Sequence, residues 1–326
     1  MQSLRSWKIF PLGGGVYAIL SAVGFSFKAI FVKMSYAAAP IDSLSLLALR
    51  MGLSLPLFLW LMQRGKGTES LTVKGCFHIG VLGLFGYYLS SLFDFIGLQF
   101  ISSSLERMIL FTYPMIVVIL QSVIFKKRIT FSTAVAIVTC YAGLAIAFAH
   151  ELVSTGIGRD LIIGSVWVFA GALSFSIYYL GAGAVLKRMS SMRLAGLAGT
   201  ASASMVLIHY LVAGEFSILL SLPPKVWLIA GIMAIFSTVL PIYWGALAIQ
   251  KIGVVRAAGV SNLGPVFTGV SAWVVLGESI SILQFVGMTL ILFGVTRLNR
   301  KPAVKSSDQG VADLEAVELG DTSKPR

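Results

Sequence analysis

Long stretches without charge constrain this chain more than any other feature. From Val226 to Ala248, and again from Ile79 to Leu92, no charged side chain occurs. A helix crossing the hydrocarbon of a bilayer needs about 20 mostly apolar residues, whereas the strands of a membrane barrel alternate in short segments. Runs of this kind therefore predict an all-α polytopic membrane protein. With 57% hydrophobic and 12% charged residues and a mean hydropathy of +0.90, the chain carries far more apolar surface than a soluble core of its length can hide. The stretch from Gly15 to Met34 follows basic residues but is long and has no cleavage site, so it is expected to be a retained first helix.

Apolar runs and polar breaks predict ten transmembrane helices, near residues 13–34, 43–62, 75–99, 103–125 and 130–149, then 161–185, 192–213, 225–249, 253–276 and 281–298. Residues 1–12 form a cytoplasmic N-terminus and 150–160 a linker between residues 13–149 and 161–298. Residues 299–326 are polar, mixed in charge and expected to form a disordered cytoplasmic tail. The basic residues sit at helix ends and orient the bundle, because lysine and arginine are retained in short cytoplasmic loops. Arg64, Lys127, Arg188 and Arg300 then fall inside, Asp160 and Glu278 outside, and both termini are cytoplasmic in an inner (plasma) membrane. A net charge of +12 is thus a topology signal, and no nucleic-acid partner is expected.

The two halves overlay at a shift of about 150 residues. Ala22, Phe25 and Ser26 face Ala172, Phe175 and Ser176, while Gln99, Pro114 and Gly143 face Gln250, Pro265 and Gly294. Five helices is an odd number, so the second half must be inverted in the membrane. The charges agree, since Lys126-Lys127-Arg128 is matched by Gly277-Glu278-Ser279 and Ala37-Ala38 by Lys187-Arg188.

These paired five-helix repeats, the proline in the fourth helix of each (Leu110-Phe111-Thr112-Tyr113-Pro114 and Asn262-Leu263-Gly264-Pro265), and the closing Gly277-Glu278-Ser279 with Gln284 and Gly287 resemble the drug/metabolite transporter superfamily in its ten-helix EamA-like branch. The likeness runs from about Val16 to Arg297, and the first repeat departs from it in having Lys127 where the second has Glu278. The resemblance implies a central cavity between the halves, alternating access, and small polar or amphipathic metabolites as substrates.

Ionisable side chains inside a bilayer each cost roughly 2.5–3.5 kcal/mol on insertion scales and so point to a site. Lys28, Arg50, Asp94, Glu106 and Arg107 are the candidates, at similar estimated depth. Three cations against two carboxylates favour an anionic or zwitterionic solute such as an amino acid or organic acid. Lys28 and Arg107 are expected to be its electropositive grip, Glu106 a further substrate-binding candidate, and Arg50, Asp94 and Glu106 an ion-pair or proton-coupling set. The structural alternative is a network that tethers helices. Tyr113 and Asn262 lie beside the two proline kinks, and Tyr178 aligns with Lys28 in the repeat; all three are candidate ligands.

No cofactor or metal is expected, because His78, His150 and His209 are scattered and Cys76 and Cys140 read as packing residues. An integral membrane enzyme, a receptor or a lipid-handling protein remains the alternative. The small residues of helices five and ten, including Gly143, Gly287 and Gly294, suit either internal closure or a homodimer among membrane lipids.

Overall fold

A computed structural model describes residues 13–65, 72–124, 126, 129–155, 158–260, 264–278 and 281–299. All regular structure among them is helical. The first half contributes α1 (Gly14–Ala38), α2 (Ser43–Arg64), α3 (Val73–Gly97), α4 (Ser103–Ile124) and α5 (Phe131–Thr155). The second contributes α6 (Arg159–Val185), α7 (Ser191–Ala213) and α8 (Pro224–Ile252). Then follow α9, described as Val254–Val260 and Gly264–Ser271 with a π turn over Ala272–Leu276, and α10 (Ile282–Asn299). The first eight are long and apolar enough to cross a membrane.

Helices are the only open-ended way to satisfy backbone groups in lipid, and their starts are marked by polar caps. Asp42 accepts from the Leu44 and Ser45 amides, Ser102 from Leu105, and Ser190 from Arg193. Large side chains such as Trp60, Val138, Leu211 and Trp273 point outward, as a lipid-facing surface requires, while Ser26, Ser45, Ser54, Ser176 and Ser202 are buried.

Packing follows an exchange of halves. α2 packs on α7 and α5 on α10, while α1 pairs with α8 as α6 pairs with α3. Equivalent hydrogen bonds follow the same rule. The Ser26 hydroxyl donates to the Gly264 carbonyl at 3.0 Å, and the matching Ser176 hydroxyl donates to the Tyr113 carbonyl at 3.2 Å. Both third helices also open into a π turn at matching places, Leu84–Leu89 and Ile235–Val239.

The α5–α10 contact is close on both sides. A Cβ added to Gly143 would lie 2.5 Å from the Gly287 carbonyl, and one added to Gly287 the same distance from that of Gly143. These small residues therefore close the bundle internally.

Three boundaries differ from expectation. Helix α5 continues to Thr155 and takes up half of the expected linker, because outside hydrocarbon a helix needs no apolar side chains to persist. Helix α4 is discontinuous, with turns at Phe111 and Thr112 between Ser103–Leu110 and Tyr113–Ile124. Pro114 lacks an amide donor and stands at the start of the second piece, where that costs nothing. A short helix, Phe216–Ser221, occupies the connection between α7 and α8. Asn262, Lys127, Arg128 and the tail from residue 300 lie outside the described residues.

Candidate functional site

Between the halves lies a cavity of about 50 Å³. Its polar wall carries Lys28, Arg50 and Arg107 with Ser90, Ser91 and Thr238, and its apolar wall includes Phe25, Tyr113, Phe175 and Tyr179. Lys28 stands 14 residues beyond Gly14, about 21 Å along α1, so the site is well inside the membrane. The π turns shape it directly, since Gly86 and Tyr87 come from the turn in α3 and Thr238 from the turn in α8. A π turn adds a residue to the helical ladder and frees backbone groups, and such turns recur at functional sites.

The five charged candidates come together. Lys28 Nζ sits 2.7 Å from Asp94 Oδ2, an ion pair joining α1 to α3. Arg107 donates to the Phe25 carbonyl at 2.7 Å, and its Nε lies 3.5 Å from Glu106 Oε2 without hydrogen-bond alignment. The expected grip residues therefore both have protein partners. Arg50, expected in an ion pair, has none among the described residues; its guanidinium carbon lies 4.8 Å from the centre of the Phe95 ring.

Asp94 and Glu106 are fully buried behind this wall, side by side and within hydrogen-bonding reach. No N–H or O–H donor reaches either Glu106 oxygen among the described residues.

Tyr113 lines the cavity, and its hydroxyl points at the Ala258 carbonyl, 3.5 Å away. Tyr178 lines a smaller adjoining void with Pro241, Gly245 and Ile249, and its hydroxyl is hydrogen-bonded to that of Tyr87. Pro265 is buried near the start of the second piece of α9. Ser90, Ser91 and Thr238 were not foreseen; hydroxyl residues are common in membrane helices and only the rotation of α3 and α8 distinguishes these.

A clasp joins the halves away from the cavity. Gly277, with φ of 70°, ends the last π turn in the left-handed conformation and turns the next residue out of the helix line. Glu278 then reaches the N-terminus of α4, where Oε1 accepts from the Ser103 amide at 3.1 Å and Oε2 from the Ser104 amide and hydroxyl at 3.2 and 3.1 Å. Those amides lack acceptors in their own helix, and the carboxylate also suits the positive end of the helix dipole.

Comparison with known proteins places this architecture. An uncharacterized transporter of Bacillus subtilis (strain 168), YcbK, is 27% identical over 298 residues, covering 87% of this chain and 91% of that protein. An uncharacterized transporter of Archaeoglobus fulgidus is 21% identical over 280 residues, covering 83% and 94%. A solved crystal structure superimposes with a TM-score of 0.65 at 17% identity over 87% of this chain and 96% of that one, a likeness of fold. The model of the EamA-like transporter family matches twice, over residues 12–149 and 162–300. With both halves matched, the chain belongs to the EamA-like transporter family, within the drug/metabolite transporter superfamily.

Proposed function

We propose that this protein carries a small organic metabolite, anionic or zwitterionic, across the inner (plasma) membrane by alternating access, with both termini in the cytoplasm. The observation that supports this reading is the cavity between the halves, which exposes three cations in an otherwise apolar interior. A cation inside a membrane protein persists where it faces a partner, water or a ligand. Asp94 and Glu106, buried close to one another, are the groups that would couple transport to a proton gradient. Residues 13–149 and 161–298 act as the two rocking units.

The test is flux into proteoliposomes with a panel of amino acids, organic acids, amines and nucleotide-linked metabolites. At least one solute is expected to enter faster than into protein-free liposomes. Entry of none, or chemical conversion of a solute without entry, would reject the reading in favour of an enzyme or a lipid-handling protein. Orientation is checked by cysteines placed at Arg64, Arg188, Asp160 and Glu278; an impermeant reagent applied outside intact cells should label only the last two.

A further inference from the structure

We infer that Arg50 is the residue that grips the solute, and that the solute is an organic carboxylate without an ammonium group. The inference rests on the transport reading and sharpens it.

Of the three cations on the cavity wall, two are already answered by the protein. Lys28 has the Asp94 carboxylate at 2.7 Å, and Arg107 has Glu106 beside it and the Phe25 carbonyl as acceptor. Arg50 makes no ion pair and no side-chain hydrogen bond among the described residues, although it is only 2% exposed. Its guanidinium lies over the face of Phe95, and the only carboxylate acting on it among the described residues is Asp94, which is already paired with Lys28. Contact with a ring face orients a guanidinium while leaving the N–H groups along its edge free. Those groups form the planar fork that matches a carboxylate with two parallel hydrogen bonds. A buried cation without a partner is costly, and a bound anion removes that cost.

The charge count points the same way. With both buried carboxyls ionised, the five groups sum to +1; with one proton shared between Asp94 and Glu106, they sum to +2. Neither state calls for a cation. An ammonium entering this cavity would meet three like charges on the wall and no carboxylate, because Asp94 and Glu106 lie fully buried and do not line it. That arrangement selects against zwitterionic amino acids and for their deaminated counterparts. The same cavity is also lined by Phe25, Met51, Phe175, Tyr179 and Ile242, which offer apolar surface for the rest of the solute. A volume of about 50 Å³, against about 10–15 Å³ for one water, keeps that body compact.

Three compounds sharing one isobutyl group isolate the charge: 4-methylpentanoate at −1, leucine at zero and 3-methylbutylamine at +1. A phenyl series of 3-phenylpropanoate, phenylalanine and phenethylamine repeats the test on a larger body. Binding to the purified full-length protein is measured by calorimetry, alongside the flux panel. The acids are expected to bind at least tenfold more tightly than the amino acids, with no binding of the amines. Arg50→Gln should weaken acid binding tenfold or more, and Arg50→Lys should recover only part of it, since lysine keeps charge without the fork. Equal or tighter binding of an amino acid or amine overturns the inference, as does an Arg50→Gln protein with unchanged acid affinity. Should Arg50→Gln fail to fold, the wild-type series decides alone. Carriage in the flux panel only of solutes that hold an ammonium or lack a carboxylate overturns the inference and leaves the transport reading standing. Carriage of no solute at all overturns both.

Discussion

The two halves share a backbone plan and divide the chemistry unequally. Lys28, Asp94, Glu106 and Arg107 in the first half stand where the second has Tyr178, Gly245, Ala257 and Ala258. Counted from the N-caps Asp42 and Ser190, Arg50 has Ala198 in its place. Ser26 and Ser176, by contrast, make equivalent bonds, and the π turns of α3 and α8 coincide. The difference teaches that scaffold and site are under separate physical demands. Interhelical hydrogen bonds and close contacts serve both halves alike, whereas the five buried charges are gathered in the first half, where two carboxylates offset two of the three cations.

The sharpest way to break this comparison is to move a charge across it. Ala258→Arg puts an arginine at the counterpart of Arg107, in a fully buried position with no carboxylate at the matching place. Insertion costs of roughly 2.5–3.5 kcal/mol add to overpacking of about 1–3 kcal/mol. The variant should be lost to aggregation on detergent extraction. A monodisperse Ala258→Arg protein melting like wild type would show the halves to be interchangeable.

Next in size is the loss of charge from the half that holds it. Lys28→Ala strands Asp94 in a fully buried position and should lower stability by about 3–5 kcal/mol. Lys28→Met combined with Asp94→Leu should restore most of it. Unfolding in mixed micelles measures both, and a double variant no better than the single would mean that the pair contributes more than mutual neutralisation.

The smallest effect concerns the clasp, again an asymmetric feature because the first half has Lys127 where the second has Glu278. Glu278→Gln keeps one acceptor oxygen and loses the charge, so a loss of about 1 kcal/mol is expected in the same unfolding assay. Glu278→Lys, which copies the first half, should cost more than Glu278→Gln because it adds repulsion at the positive end of α4. Equal stability of the two variants would reduce the clasp to a packing contact.

Much of the fold was legible in the sequence because membrane helices announce themselves by hydropathy, and the pairs Ser26 with Ser176 and Pro114 with Pro265 located the repeat. The end of α5 was missed because hydropathy marks where a helix leaves the bilayer, not where it stops. The five charged residues were found for a similar reason, since charge inside an apolar run stands out. Their partners were not. Which cation meets which carboxylate depends on helix rotation, and the π turn at Leu84–Leu89 shifts everything after it in α3, Asp94 included, by about one residue or 100°. Nothing in the residues from 84 to 89 signals that shift.

The meeting of Gly143 with Gly287 has a consequence for chain continuity. Each half ends in the helix that grips the last helix of the other, so the halves are fastened at their ends by contact as well as by the peptide that links them. With α2 on α7 and α1 on α8 adding further seams, the covalent link between Thr155 and Gly158 becomes redundant for assembly. Two separately translated polypeptides, one from each half, are therefore expected to find one another in the bilayer through these seams.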